Sequence, residues 1–430
     1  MPDRLPSSVP ILVIGAGVHG LSSAWHLASR GDRVLVLDKT AVGAGASGIA
    51  CGVVRNNYFQ PAMSELMAAC VEVWESDPEA LHYHGTGYIA LGPRAQESDL
   101  SEVYERQQRI GYPSELHLGA DEVSAHMRSL YPDWRAPGVT VCLHEHAGGY
   151  AFNRESMLGL AGKARAAGAE IREGVEVTGF EFDDAGAVRR VRTSAGEIAV
   201  EQVVVAAGPW IASIWEMLGL PDRIDVRQPD GEVREGLPMW TYWYLQEGEV
   251  AIDPAKFVTA DGRSSAVLHV DSDQPLHDDD GRLITDEAWG VYFKPDRETV
   301  QGGAQPLRVG DHFEVDPYPT GTVEPGFPDM WSAALSHCLE RFDGARKLYR
   351  QERSGGAGAF TVDNFPVFDY MCPNVFVAAD SNHGYKMIAV GREIARVLHG
   401  EHSSLLHPFR FERFETGDLH PVSHSPYPWS

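Results

Sequence analysis

A short apolar strand running into a G-x-G-x-x-G turn is the feature that most constrains how this chain can fold. Residues 10–14 predict the strand, and the turn is Gly15-Ala16-Gly17-Val18-His19-Gly20. A helical pattern over 21–30 and a second apolar strand at 34–37, which ends on Asp38, complete a β-α-β unit. This order of elements predicts a Rossmann-type domain that binds a dinucleotide.

The turn residues have distinct expected roles. Gly15 allows the tight turn, Gly17 lets the backbone approach a pyrophosphate, and Gly20 lets the helix pack close to the strand. The pyrophosphate is expected at the helix N-terminus, where free N–H groups and the helix dipole favour anions. Asp38 is expected to accept a hydrogen bond from a ribose hydroxyl, and its charge would repel a 2′-phosphate. The pattern therefore favours FAD or NAD over NADP.

Composition sets limits on the class of protein. A chain of 430 residues exceeds what one hydrophobic core serves, so two domains are expected. The formal net charge of −25 disfavours nucleic acid or an anionic membrane surface as a partner. No apolar run approaches the roughly 18 residues of a membrane span, and residues 1–10 lack the regions of a signal peptide. We therefore expect a cytoplasmic chain without a membrane span.

Cysteine and histidine spacing gives no sign of a metal site. The five cysteines are scattered and contain no C-x-x-C, which favours reduced thiols over disulfides or a zinc site. The pairs His82/His84 and His144/His146 resemble metal ligands, but no third ligand is evident for either pair. We therefore expect surface or hydrogen-bonded histidines and no metal.

The predicted elements divide between two domains, an α/β unit and an α+β unit. The Rossmann-type nucleotide-binding domain is discontinuous, and the second, substrate-binding domain is expected to be built on a mixed or antiparallel sheet. Aromatic residues alternating over 239–244 predict a strand with an aromatic face. The acidic run 271–280 predicts a solvated loop. The predicted limits are 1–80, 150–225 and 346–405 for the nucleotide domain, 81–149 and 226–345 for the second domain, and 406–430 for an irregular C-terminal tail.

Four separated motifs resemble the D-amino-acid oxidase (DAO) superfamily of FAD-dependent oxidoreductases, and within it the sarcosine oxidase and dimethylglycine dehydrogenase branch. They are Gly15–Gly20 with Asp38, Gly43-Ala44-Gly45-Ala46-Ser47, Val205-Ala206-Ala207-Gly208-Pro209-Trp210, and the stretch from Val377 to Lys386. Their order spans nearly the whole chain. A second G-x-G-x-x-G for NADPH is not found in the sequence, which argues against reductases that draw electrons from a nicotinamide.

The resemblance implies FAD as the cofactor. In covalent members the flavin is attached to a Cys or a His, and Gly356 and Ile49 stand at those positions here. Neither can form the bond, so noncovalent FAD is expected, although Cys51 is close to the His position. The residues expected to bind FAD are Gly15, Gly17, Val18, His19, Gly20, Asp38, Lys39, Gly45, Ala46, Ser47, Val177, Ala207, Gly208, Trp210, Gly384, Tyr385 and Lys386.

The resemblance also implies a substrate site. Arg55 and Lys386 stand where sarcosine oxidases clamp a substrate carboxylate, and two cations bind a carboxylate strongly and in one orientation. The alternatives are a structural salt bridge for Arg55 and a surface position for Lys386. Tyr58 and the aromatic strand at 240–244 could form a wall that suits an alkylated amine. His383 is expected beside the flavin, either packing against it or moving a proton.

The implied activity is oxidation of an N-methyl or N-alkyl amino acid, or a related amino acid, by hydride transfer to flavin N5. The imine product would hydrolyse, and O₂ or an electron carrier would reoxidise the flavin. Sarcosine oxidases place a lysine over the flavin for reaction with O₂; Val300 stands at that position and Lys294 is the nearest alternative. Oxidation of a 2-hydroxy acid and a non-catalytic flavoprotein assembly factor are the alternative functions.

Overall fold

The computed structural model describes residues 5–351, 355–380 and 383–427. The predicted C-terminal flavin motif includes Ser381 and Asn382, which lie outside the described residues. The α-helices are α1 (Val18–Ser29), α2 (Pro61–Ser76), α3 (Glu97–Arg109), α4 (Ala120–Leu130), α5 (Asn153–Ala166), α6 (Ile211–Met217), α7 (Phe327–Cys338), α8 (Val390–Leu398) and α9 (Arg413–Thr416). None of the helices in these ranges is both long and apolar enough to cross a membrane.

The strands are short and form several sheets. They are β1 (Ser8–Ile14), β2 (Val34–Asp38), β3 (Val53–Val54), β4 (Tyr83–His84), β5 (Tyr88–Gly92), β6 (Ser114–Leu118), β7 (Val141–Glu145), β8 (Gly149–Ala151), β9 (Glu170–Glu173), β10 (Val177–Phe182), β11 (Val188–Thr193), β12 (Gly196–Val205), β13 (Arg223–Arg227), β14 (Val233–Pro238), β15 (Thr241–Leu245), β16 (Glu247–Val250), β17 (Val267–Ser272), β18 (Leu276–His277), β19 (Leu283–Thr285), β20 (Trp289–Pro295), β21 (Val300–Ala304), β22 (Leu307–Gly310), β23 (Tyr349–Arg350), β24 (Gly356–Phe360), β25 (Val367–Cys372) and β26 (Val375–Ala379).

The first large sheet has parallel strands at its centre. Its order is β10-β11-β12-β1-β2-β9, and β26 pairs with β12 and with β25. The β1 side chains alternate between two cores: Ile11 and Val13 pack with α1, α2, α5 and α8, whereas Leu12 and Ile14 pack with α6, β13 and β15. Burial on both faces explains why these strands read as continuous apolar runs. The carboxyl ends of β1, β2 and β12 meet at one edge, where cofactors bind in such sheets.

The second large sheet is mostly antiparallel and carries the pocket beside that edge. Its order is β23-β16-β21-β20-β17-β5-β7-β6, and β17 pairs with β5 in parallel. Helices α4 and α7 cover one face, and α3 packs on the other. This architecture confirms the predicted combination of a Rossmann-type α/β unit with a mixed-sheet unit. The predicted domain limits remain a proposal. Strand β23 lies within the predicted third segment of the nucleotide domain, but it pairs in the second sheet.

Two local expectations were wrong. Asp271 does not lie in a solvated loop: it sits on β17, is 4% exposed, and its carboxylate accepts a hydrogen bond from Gln96 at 2.7 Å. The aromatic strand does not present one aromatic wall. Trp240 and Tyr242, two positions apart, face the same side and are buried in the core beneath the first sheet, because successive residues of a strand face opposite sides. Trp243, on the other face, lines a pocket described below.

The C-terminal tail is packed rather than loose. Arg413 is 4% exposed and binds the Asp363 carboxylate through Nε and Nη2, at 2.8 and 3.0 Å. Beyond it, the carboxylate of Asp99 accepts the backbone N–H groups of His424 and Ser425, at 2.7 and 2.8 Å. These contacts tie the tail to both halves of the molecule.

We expect Arg413→Ala to destabilise the protein by about 3–5 kcal/mol, because it leaves Asp363 buried without its partner. Arg410→Ala is the matched control, since the Arg410–Glu412 pair is exposed and such pairs contribute about 1 kcal/mol or less. Urea denaturation followed by circular dichroism measures both changes. Equal effects of the two substitutions would contradict the structural role of Arg413.

Candidate active site

The glycine turn after β1 is held in a conformation that a side chain would disrupt. Gly15 has φ +105°, and a Cβ at this position would lie 2.2 Å from the carbonyl oxygen of Ala206. A Cβ on Gly20 would lie 1.9 Å from the carbonyl oxygen of Gly15. The two glycines therefore allow β1, α1 and the end of β12 to meet at one point.

The N-terminus of α1 is open to a ligand. Its N-cap residue, Gly17, has no side-chain cap, and its first turn has no acidic residue. Asp38 at the end of β2 accepts the Ala16 N–H at 2.9 Å and the Thr40 N–H at 2.9 Å. Ser47 Oγ accepts the Val18 N–H at 3.2 Å. The first turn of α1 carries no acidic residue of its own, and its backbone N–H groups and dipole provide the electrostatic setting that a pyrophosphate requires.

A cavity of about 310 Å³ starts at this turn. Of the predicted cofactor residues, Gly20 and Lys386 do not line it: Gly20 packs beneath the turn, and Lys386 lines the adjoining pocket. Sequence reasoning missed several lining residues that come from distant segments, among them Glu247, Asp316 and Tyr318. The predicted residues that line the cavity are Gly15, Gly17, Val18, His19, Asp38, Lys39, Gly45, Ala46, Ser47, Val177, Ala207, Gly208, Trp210, Gly384 and Tyr385.

Asp316 joins two of the predicted residues at the rim of this cavity. Lys39 Nζ lies 2.6 Å from Asp316 Oδ1, and Trp210 Nε1 donates to the same oxygen at 3.0 Å. The Lys39 ammonium also lies 4.4 Å from the centroid of the Trp210 ring. The Lys39 ammonium is therefore already paired with the Asp316 carboxylate. The sequence alone could not identify this pairing.

The two positions considered for a covalent flavin bond are neighbours in the cavity wall. A Cβ on Gly356 would lie 2.4 Å from Ile49 Cδ1. Cys51 is buried, lines the adjoining pocket, and burial raises the pKa of its thiol. A neutral thiol is a poor nucleophile.

A second pocket, of about 140 Å³, adjoins the cavity and brings two predicted cations together. Arg55 and Lys386 both line it, together with His383 and Glu247. Tyr58 does not line it, but its ring is near both cations: Arg55 Cζ is 5.1 Å and Lys386 Nζ is 5.9 Å from its centroid. The two cations are thus assembled from segments 331 positions apart in sequence (386 − 55).

Within the described part of the chain, neither cation forms a salt bridge. Among the described residues, no carboxylate oxygen lies within 4.0 Å of the Arg55 guanidinium or the Lys386 ammonium. Arg55 Nη1 instead donates to the Tyr88 hydroxyl at 2.6 Å. Burial opposes the charge of Arg55, but Tyr88, Tyr58 and Glu145 outweigh it and raise the pKa of the guanidinium. The pocket therefore holds a permanent positive charge available to an anion.

Glu247 contributes the opposite charge on the boundary between the cavity and the second pocket. Its carboxylate accepts the Cys51 N–H at 3.1 Å, the Tyr292 hydroxyl at 3.2 Å and the Gly355 N–H at 3.2 Å. Burial raises the pKa of Glu247 to about 7, although these hydrogen bonds favour the charged form. The group therefore changes charge near neutral pH, which makes it a candidate functional residue.

His383 is buried between two aromatic rings. Its ring centroid lies 5.2 Å from that of Tyr58 and 5.9 Å from that of Phe365. Burial, Lys386 and Arg55 hold the pKa of His383 well below its usual value, so the ring is neutral. Within the described part of the chain its Nδ1 has no hydrogen-bond partner. The imidazole is therefore available to a ligand.

A hydrogen-bonded chain extends from Arg55 into a third pocket of about 510 Å³. The Tyr88 hydroxyl, which accepts from Arg55, lies 2.5 Å from His269 Nδ1, and His269 Nε2 lies 3.2 Å from Asp271 Oδ1. Tyr58 and Trp243 line this pocket, as does the tail residue Ser425. The sequence did not single out His269 and Asp271 as site residues. The only signal for them was that side chains two apart along β17 face the same side.

The two positions considered for the lysine that faces O₂, 300 and 294, lie outside the cavity and the two pockets. Val300 is fully buried in β21. Lys294 is also buried, and its ammonium lies 2.7 Å from Asp296 Oδ1. Neither residue lines the cavity or the two pockets described above.

The cavity fits FAD. Its open helix N-terminus suits the pyrophosphate, Asp38 lies at the end of β2 where a ribose is expected, and the opposite end reaches Tyr385 beside the pocket of Arg55 and Lys386. A dinucleotide bound along it would place its reactive ring next to that charged pocket.

Comparisons with known proteins agree with this geometry. Human peroxisomal sarcosine oxidase is 25% identical over 215 residues, which cover 49% of this chain and 53% of that protein. The sarcosine oxidase β-subunit of Rhizobium meliloti is 28% identical over 250 residues, covering 55% and 58%. The chain thus spans about half the length of these curated relatives. The crystal structure of L-proline dehydrogenase from P. horikoshii has the same fold, with a TM-score of 0.76 at 22% identity, covering 96% of this chain and 100% of that one.

The model of one protein family, described as DAO, FAD dependent oxidoreductase, matches residues 10–397. This match covers the glycine turn, the cations of the second pocket and helix α8, and it confirms both the resemblance and FAD as the cofactor. The chain belongs to the DAO family of FAD-dependent oxidoreductases.

Proposed function

We propose that this protein oxidises the CH–NH bond of an amino acid, with an N-methyl or N-alkyl amino acid as the preferred class of substrate. The observation that carries the proposal is the pair of carboxylate-free cations, Arg55 and Lys386, in a pocket that adjoins the FAD cavity. Sarcosine oxidase and L-proline dehydrogenase, named among the similar proteins, act on amino acids with a secondary amine.

The charges of the pocket suit an amino acid. Arg55 and Lys386 would bind the substrate carboxylate, and the ring of Tyr58 would keep both side chains in place. Glu247, which also lines the pocket, would attract the amine when ionised. When bound, FAD accepts the hydride from the carbon beside the amine. The chain's own residues therefore mainly bind and orient the substrate, and the imine product hydrolyses after release.

A second candidate is oxidation of a 2-hydroxy acid, which is favoured by one observation. His383 is neutral and lines the same pocket, and its Nδ1 has no partner within the described residues. Such a nitrogen could accept the hydroxyl proton of a hydroxy acid. The carboxylate of either substrate would bind to the same two cations.

Anaerobic bleaching of the flavin distinguishes these functions. We expect the long-wavelength flavin band of the purified protein to bleach with N-methyl or N-alkyl amino acids and not with 2-hydroxy acids. Admission of air then shows whether O₂ or another carrier is the acceptor. Bleaching by a hydroxy acid alone would replace the proposal with the second candidate. No bleaching by amino or hydroxy acids would point to the non-catalytic alternative.

We expect Arg55→Ala to raise KM for the bleaching substrate by roughly 10- to 1000-fold, with a smaller change in kcat, because it removes binding of the carboxylate in both ground and transition states. Lys386→Met should act in the same direction. Arg263→Ala is the control, since the Arg263 side chain is 78% exposed on the surface. Steady-state kinetics measure the effect, and an unchanged KM in Arg55→Ala would reject the carboxylate clamp.

We also propose that FAD is bound without a covalent bond, because Ile49 and Gly356 occupy the positions considered for the linkage. Precipitation of the protein with acid should leave the yellow colour in the supernatant. Cys51 is the remaining thiol beside the site. Colour retained in the pellet of the parent protein and lost from that of Cys51→Ser would show a covalent bond to Cys51.

A further inference from the structure

A cluster of four histidines and one glutamate lies on the second sheet, outside the cavity and the pockets of the proposed function. Strands β6 and β7 pair with Glu115 opposite His144, so their side chains share one face. His117 follows on β6, His146 follows β7, and α4 folds over this face and adds His126. The sequence offered no third ligand for His144 and His146. The structure supplies one from a paired strand.

The nitrogen atoms of His126, His144 and His146 all lie within 3.7 Å of one Glu115 oxygen. Glu115 Oε1 lies 3.3 Å from His144 Nδ1, 3.7 Å from His126 Nε2 and 3.7 Å from His146 Nε2. His126 Nε2 and His144 Nδ1 are 3.2 Å apart. In a tetrahedral zinc site with bonds of about 2.0–2.1 Å, ligand atoms are about 3.3 Å from one another. The observed separations are already close to that value.

We propose that Glu115, His126, His144 and His146 bind one Zn²⁺ ion. Three imidazole nitrogens and one carboxylate oxygen form a donor set that zinc prefers over calcium or magnesium, which take oxygen ligands. His146 is 49% exposed and provides the route of entry, whereas the side chains of His126 and His144 are each 13% exposed. No exposed acidic cluster is involved, since Glu115 is the single carboxylate among these ligands.

The surroundings of the cluster fit a bound cation. The ring of His117 stacks on that of His126 at 3.9 Å between centroids, and His117 Nδ1 lies 3.1 Å from Glu122 Oε1. The stacked ring of His117 would hold His126 in position, and His117 Nε2, 3.6 Å from Glu115 Oε2, faces the same cluster.

The site would fasten α4 to the sheet. Val123 and Met127 are the buried residues of this helix, so its apolar anchorage is small. A metal bridging His126 on α4 to β6 and β7 would add a bond that is absent from the unfolded chain. Glu145, between His144 and His146 in sequence, faces the opposite side and accepts the Asn56 N–H at 2.8 Å, so the site lies on the other side of the strand from the second pocket.

Zinc titration of the flavin-loaded protein tests this site. Protein treated with a chelator and dialysed is titrated with ZnCl₂ by calorimetry, and one equivalent is expected to bind. His126→Ala should weaken binding by about 100-fold or more, because loss of an outer-shell partner alone typically costs about 10- to 100-fold. His277→Ala, which removes an exposed histidine on β18, should bind zinc like the parent protein.

Two further measurements distinguish loss of the zinc site from loss of the folded structure. Alanine is favourable in a helix, and retention of the flavin spectrum in His126→Ala would show that this variant is folded. Co²⁺ in place of Zn²⁺ should give the d–d bands of tetrahedral nitrogen and oxygen coordination in the parent protein and lose them in His126→Ala. Absence of a stoichiometric zinc equivalent in the parent, or equal zinc affinity in parent and folded His126→Ala, would overturn the proposal.

Discussion

The close approach of the Gly15 turn to the Ala206 carbonyl is the constraint on which the rest of the site depends. It brings the ends of β1 and β12 and the start of α1 within contact distance, and no residue with a Cβ fits there. The position of α1 then determines where the pyrophosphate of FAD can lie. The length of the dinucleotide determines how far from that point its reactive ring would lie. Arg55 and Lys386 line the pocket that adjoins the cavity.

Electrostatics divide this site into two parts. The part proposed for the cofactor offers backbone N–H groups and a helix dipole. These groups can bind a pyrophosphate without a charged side chain. The adjoining pocket uses side chains: permanent positive charge on Arg55, and Glu247 with a pKa of about 7. The proposed amino-acid substrate carries charges complementary to both. The fold thus separates binding of the cofactor, which is common to the family, from recognition of the substrate, which differs among its members.

The sequence predicted best those features whose cause is local. The turn from Gly15 to Gly20 and Asp38 at the end of β2 depend on backbone conformation and strand order, so a pattern in the sequence reveals them. Glu247 and Asp316 could not be found in this way, because their role depends on strand pairing between distant segments. The same limit explains Glu115, which meets His144 only through the register of β6 and β7. Asp271 was misread as solvated because its partner, Gln96, is 175 residues away in sequence.

The C-terminal tail forms part of the wall of the third pocket, through Ser423 and Ser425, and Asp99 holds it there. The cavity proposed for FAD is lined by other segments. Changes in the tail would therefore alter the shape of the third pocket and leave the lining of that cavity unchanged. Diversification of such an enzyme would proceed fastest in a segment that contains none of the residues proposed to bind FAD or the substrate carboxylate.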